Sequence, residues 1–222
     1  DFEITRDEAG ERAASFLQNR GFELGDYQHA AVFSFDDVTK TFLERELGLK
    51  GASDVIGAPV RLWRWSHRWF RELQKEEFHV EVTTTGELVG FQHLVAEKLE
   101  GAALDQQEAR YLAEQFLGTV GHRLEELEFV EAISIERPHR TDHSFTWKLS
   151  GFEAEDATYR YKVGVQGNLI GEYREFLKVP EPWSREYEEL RSHNLATGIV
   201  AELVLVVTSI AMLAMLVMSI RA

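Results

Sequence analysis

The 222-residue chain carries 38 acidic and 24 basic side chains, a net charge of −14, with 44% hydrophobic and 11% aromatic residues. So acidic a composition excludes nucleic-acid phosphate as a partner, since that binding is driven by basic patches, and the apolar content excludes a disordered tail. There is no cysteine, which excludes disulfides, thiolate zinc sites and a cysteine nucleophile.

Taken in chain order, residues 7–20 (DEAGERAASFLQNR) place Ala9, Ala13, Phe16 and Leu17 on one helical face, behind an acidic start of the kind helix N-termini prefer. Ala30 to Phe35 (AAVFSF) reads as strand, residues 37–49 as an inserted helix, and Val60 to Phe70 as a second strand. The densest aromatic and basic run lies in that second strand. Alternation puts Trp63, Trp65, His67 and Trp69 on one face, with Arg64, Arg68 and Phe70 on the other. Tryptophans on one face are ordinary core beneath a helix. Left exposed they would make a docking face, because aromatics and arginine dominate interface hot spots. Trp63, Arg64, Trp65, Arg68 and Trp69 are therefore the candidate peptide- or protein-binding residues, and burial of all three tryptophans would end the idea.

Residues 78–90 (FHVEVTTTGELVG) alternate, turn at Gly86 and resume an apolar run, a β-hairpin signature. The same two patterns then recur. Residues 105–117 (DQQEARYLAEQFL) align Ala113, Phe116 and Leu117 with Ala13, Phe16 and Leu17, and residues 159–171 (YRYKVGVQGNLIG) repeat the hairpin around Gly167. Leu127 to Ile135 and Ser144 to Leu149 supply strands between them. The expected fold is α+β: two repeated units, residues 1–98 and 99–182, each one helix packed on a roughly four-stranded antiparallel sheet. Whether the two share one sheet stays open. A juxtamembrane linker at 183–195 and a transmembrane helix at 196–220 follow.

The connection at residues 137–143 offers His139, Asp142 and His143 as metal donors. Arg137 and Arg140 in the same loop oppose a cation and no fourth ligand is in view, so no metal or cofactor is assigned. No H-E-x-x-H, G-x-S-x-G or glycine-rich phosphate loop occurs. No catalytic residue is assigned.

The last stretch is a different material. Leu203 to Ile220 is eighteen residues without a charge, and extending back to Ala196 gives twenty-five interrupted only by Glu202. At about 1.5 Å per residue this suffices for a bilayer core of roughly 30 Å. A membrane is thus the one partner the composition names.

A helix followed by antiparallel strands with the pattern [VY]-x-V-x-x-x-G-x-L-[VI]-G resembles the PepSY-type domain, over roughly residues 5–96 and 105–178 as a divergent tandem pair. With the stretch from Tyr173 to Asn194 leading into the hydrophobic span, the arrangement is similar to the N-terminal region of some bacterial CPBP (CAAX-type) intramembrane metalloproteases. That resemblance implies a non-catalytic module that binds peptide or protein and regulates the protease, outside the cytoplasmic membrane. The alternative is a membrane-anchored structural or assembly protein of the envelope. The family's paired glutamates followed by arginine have no counterpart, since Glu188-Glu189 precedes Leu190-Arg191. The catalytic core is accordingly expected beyond this chain. Lys178, Arg185 and Arg191 before the span taken alone favour the opposite orientation.

Overall fold

The computed structural model describes residues 2–152 and 154–221. Two compact units make up the chain, the first ending at Lys178 and the second beginning at Val179. In chain order the first contains α1 (Arg6–Asn19), β1 (Gln28–Phe35), α2 (Asp37–Val55), β2 (Trp63–Phe70), β3 (Glu77–Thr83) and β4 (Leu88–Leu94). It continues with α3 (Gln106–Thr119), β5 (Leu127–Arg137), β6 (Arg140–Leu149), β7 (Thr158–Gln166) and β8 (Leu169–Lys178). The second unit is α4 (Glu181–Arg221).

Both packing helices begin on a capping box. The Thr5 hydroxyl accepts from the Glu8 amide while the Glu8 carboxylate accepts from the Thr5 amide, and Asp105 and Glu108 do the same for α3. Each box satisfies donors that a helix start leaves orphaned. Small residues then bring helix and sheet together: Ala9 and Ala13 on α1 and Ala109 and Ala113 on α3 are fully buried. Phe16 meets the Phe91 ring edge-on at 5.1 Å, and Phe116 meets Tyr173 likewise at 5.2 Å.

The strands form one antiparallel sheet of eight, in the order β1-β2-β3-β4-β8-β7-β6-β5. The two roughly four-stranded sets expected from the sequence are thus parts of a single sheet, the point the sequence left open. Unpaired, β4 and β8 would each present a row of free backbone donors and acceptors. Here they pair with each other instead, through Gly90↔Arg174, Phe91↔Tyr173 and Gln92↔Glu172. The seam is short, so side chains reinforce it. Arg20, which follows the last residue of α1, lies over the rings of Phe16, Phe91 and Phe116, and Gln166 donates to the His93 carbonyl at 3.1 Å.

Two further expectations shift. Val60 lies outside β2 and pairs only with Ile56 in an isolated bridge. The inserted helix runs on to Val55, with a break at Gly48 where φ is 70°. The final strand runs from Leu169 to Lys178. In α4, the stretch Glu181–Leu213 is long and apolar enough to cross a membrane by length and composition, and the apolar window within it is not buried.

Candidate functional site

In β2 the alternation holds. Trp69 and His67 are buried, while Trp63 and Trp65 are half-buried. The difference follows from position. Trp69 stacks on His29 at 4.4 Å, close to α1, whereas Trp63 and Trp65 lie toward the other end of the strand among Phe2, Phe33 and Phe35. Phe2 is 67% and Phe35 45% exposed, so this aromatic cluster reaches solvent. The Trp65 indole N–H and His67 Nε2 have no hydrogen-bond partner among the described residues.

Arg64 and Arg68 project from the opposite face and are held by carboxylates. Arg64 pairs with Glu81 at 2.8 Å, and Arg68 pairs with Glu77, which also meets His79. Ser34, Ser66 and Glu81 form a hydrogen-bonded chain across β1, β2 and β3. An open cavity of about 570 Å³ lies on this face, with Gly90 and Gln92 among its lining beside Arg64, Glu81, Glu172 and Arg174. A Cβ on Gly90 would come within 2.7 Å of the Glu81 carboxylate, which is why the strand is bare at that point. The five candidate residues are thus split between two faces and do not form one surface.

The two outer strands differ in kind. The sequence of β1, QHAAVFSF, has no charged residue, no proline and an unbroken register from Gln28↔Phe70 to Phe35↔Trp63. By contrast β5 carries Glu128, Glu131, Glu136 and Arg137, and its register shifts between Phe129 and Glu131. Charges and bulges are the usual means by which an edge strand avoids indiscriminate pairing, since they admit only a strand of complementary pattern, and β1 lacks both. Beside β1, a cavity of about 350 Å³ opens between its inner face and α1, lined by Arg6, Asp7, Glu11, His29, Ala31 and Trp69.

A second polar cluster is buried and was missed in the sequence. The Glu175 side chain is 1% exposed and faces Arg61 at 3.2 Å. It accepts hydrogen bonds from the Tyr159 hydroxyl at 2.9 Å and the Tyr173 hydroxyl at 2.6 Å. His122 Nε2 is 2.7 Å from the Tyr173 oxygen. Because the Tyr173 hydroxyl donates to Glu175, its oxygen is left to accept from His122 Nε2. Burial, the largest influence, pushes the Glu175 carboxyl upward. The His122 contact, the Arg61 charge and the Tyr173 hydroxyl outweigh it and hold the pKa below the usual value. Burial and the adjacent carboxylate raise Tyr159 and Tyr173. Glu175 lines neither cavity described above, and its contact with Arg61 on one side and Tyr159 and Tyr173 on the other ties the two halves of the sheet together. Its signal in the sequence was a glutamate in phase with Tyr173 and Leu177, on the apolar parity of a strand.

The donors offered by residues 137–143, of which Asp142 and His143 lie in β6, are not brought together. Asp142 accepts from Arg137 and Arg140, His143 bonds Ser134 and the Leu104 carbonyl, and among the described residues no group of three acidic or histidine side chains is placed to hold a metal ion.

Compared with known proteins, the chain matches no family model, and no characterised relative and no solved structure is recognisably similar to it.

Proposed function

We propose that this chain is a non-catalytic binding module that captures an extended peptide or protein segment by adding it as a ninth strand along β1. The observation that carries the reading is the free edge of β1, eight residues without charge, proline or bulge. Strand addition draws affinity from main-chain hydrogen bonds and selectivity from alternate side-chain pockets. On the inner face an added strand would run beside Phe33 and Phe35 and over the cavity between β1 and α1. Half-buried Trp63 and Trp65 back that row, while Arg64, Arg68 and Trp69 serve the fold rather than the ligand.

The apolar stretch of α4 supports a membrane tether for the module. Two further parts of the proposal rest on the sequence resemblance alone. One is that the two helix-plus-strand halves are PepSY-like copies of one unit. The other is that the module regulates a CPBP-type intramembrane protease of a bacterial cell membrane from the extracytoplasmic side. The second reading, an envelope assembly protein, draws on the exposed apolar side chains of β5.

The test is backbone amide exchange of the full chain in detergent, with and without a panel of eight-residue peptides rich in Val, Ile, Phe and Thr. Binding is expected to protect the β1 amides and to shift tryptophan emission, and Val32→Lys, at a 62% exposed edge position, is expected to abolish both. Protection that appears elsewhere while β1 stays unchanged would refute the reading.

A further inference from the structure

The other edge of the sheet has a property that β1 lacks: it is complementary to itself. In β5 the regular stretch after the register shift reads Glu131, Ala132, Ile133, Ser134, Ile135, Glu136, Arg137. Ile133 and Ile135 are 50% and 46% exposed, unusually bare for isoleucines on a sheet. They lie on the face shared with Ser144 and Asp142, whereas Ser134 points to the opposite side, toward His143.

Two identical strands pairing antiparallel about a twofold axis must place that axis on a residue, because opposed residues share the same hydrogen-bonding phase. Centred on Ala132, the pairing sets Glu128 against Glu136, a like-charge contact. Centred on Ile133, it sets Glu131 against Ile135. Centred on Ile135, it sets Ile133 against Arg137. Of these registers, the one centred on Ser134 sets no like charges and no isoleucine against a charge: Ile133 faces Ile135 of the second copy twice, and Glu131 faces Arg137 twice on the same face. On the other face Ala132 stands opposite Glu136, and Arg137, which also pairs with Asp142 in its own chain, meets the second copy's Glu131.

We infer that β5 is a homotypic interface, at which a second copy of this chain pairs antiparallel through residues 131–137 with Ser134 on the twofold axis. The eight-stranded sheet becomes sixteen strands across the dimer, and each β1 edge remains free at an outer end. Two such ends would let one dimer hold two extended segments. The interface itself does not depend on what β1 binds. A seven-residue strand pair is smaller than the roughly 1,600 Å² of a standard interface, so association is weak at high dilution. Confinement of both copies to one micelle or membrane raises their effective concentration.

The absence of cysteine makes the register directly readable. In the full chain in detergent, Ser134→Cys is expected to form a disulfide-linked dimer under mild oxidation. Ala132→Cys is not, since its two copies would stand roughly 14 Å apart. A mixture of Ala132→Cys and Glu136→Cys chains is expected to cross-link where neither does alone. Adding Glu131→Arg to the Ser134→Cys chain should slow cross-linking at least tenfold. Mixing it with a Ser134→Cys chain that carries Arg137→Glu should restore the rate. No cross-link at Ser134, or equal cross-linking at Ala132 and Ser134, would overturn the inference.

Discussion

Arg61 and Glu175 are 114 residues apart in the chain and 3.2 Å apart in space. One precedes β2 and the other lies in β8, so this buried ion pair spans the seam that joins the two halves of the sheet. A carboxylate so enclosed is tolerated only because its oxygens are taken up by Arg61, Tyr159 and Tyr173, with His122 alongside.

Removing one partner should therefore be worse than removing an ordinary surface pair. Arg61→Ala is expected to cost about 3–5 kcal/mol, because it leaves the Glu175 charge buried and uncompensated. The surface change Arg185→Ala, at an ion pair whose two side chains are more than 70% exposed, should stay within about 1 kcal/mol. Urea denaturation followed by tryptophan fluorescence checks both. Equal midpoints would show that the seam does not depend on the pair.

The stability of the sheet should fall between neutral pH and pH 4. Burial, then the charges of His29 on β1 and Arg6 on α1, lower the His67 pKa to about 4 against a small opposing effect of Asp7. The folded chain thus binds a proton at His67 less readily than the unfolded chain does. The contribution is complete above the unfolded value of about 6.5 and is lost progressively as pH falls toward about 4. Glu175, with its lowered pKa, loses its contribution at lower pH still. His67→Phe should flatten the first of these slopes and leave the second. Chemical denaturation at successive pH values measures it, and an unchanged slope in the variant would count against the assignment.

Gly167 cannot be replaced cheaply. Its φ is +63°, and a Cβ there would stand 2.9 Å from the Ala102 amide nitrogen, a backbone atom with no freedom to swing aside. Gly167→Ala is expected to cost about 1–3 kcal/mol. Gly118→Ala, in a helix with open space around it, should instead be neutral or stabilising. Thermal unfolding of the two variants gives opposite shifts in Tm.

The tryptophan row separates core from surface. Trp69 is 5% exposed, and Trp69→Ala should cost about 3–5 kcal/mol. Arg68→Ala, on the far face with a 49% exposed side chain, should change stability by less than about 1 kcal/mol. If Arg68→Ala proved as damaging as Trp69→Ala, the two-faced description of β2 would be wrong.

Much of this was legible before any coordinates. The helix faces through Ala13, Phe16 and Leu17 and through Ala113, Phe116 and Leu117, the alternation of Phe78, Val80 and Val82, and the turns at Gly86 and Gly167 all stand in the structure as elements of the expected type. Those features are set by neighbours within four residues, where side-chain periodicity and glycine's access to positive φ act directly. The long apolar run that forms the end of α4 was equally plain, because length and absence of charge suffice to recognise it.

What the sequence could not decide was partnership across long intervals. It marked β4 and β8 as strands without saying that they pair, and it displayed Glu175 without Arg61, Tyr159 or His122. It put Trp63, Trp65 and Trp69 alike on one face, without saying that only the Trp69 end of the row is buried. Periodicity reports which way a side chain points, not what it will meet. Only the tertiary structure determined that the halves fuse into one sheet, and so left β1 and β5 as its two free edges, because every other strand finds its backbone hydrogen bonds on both sides.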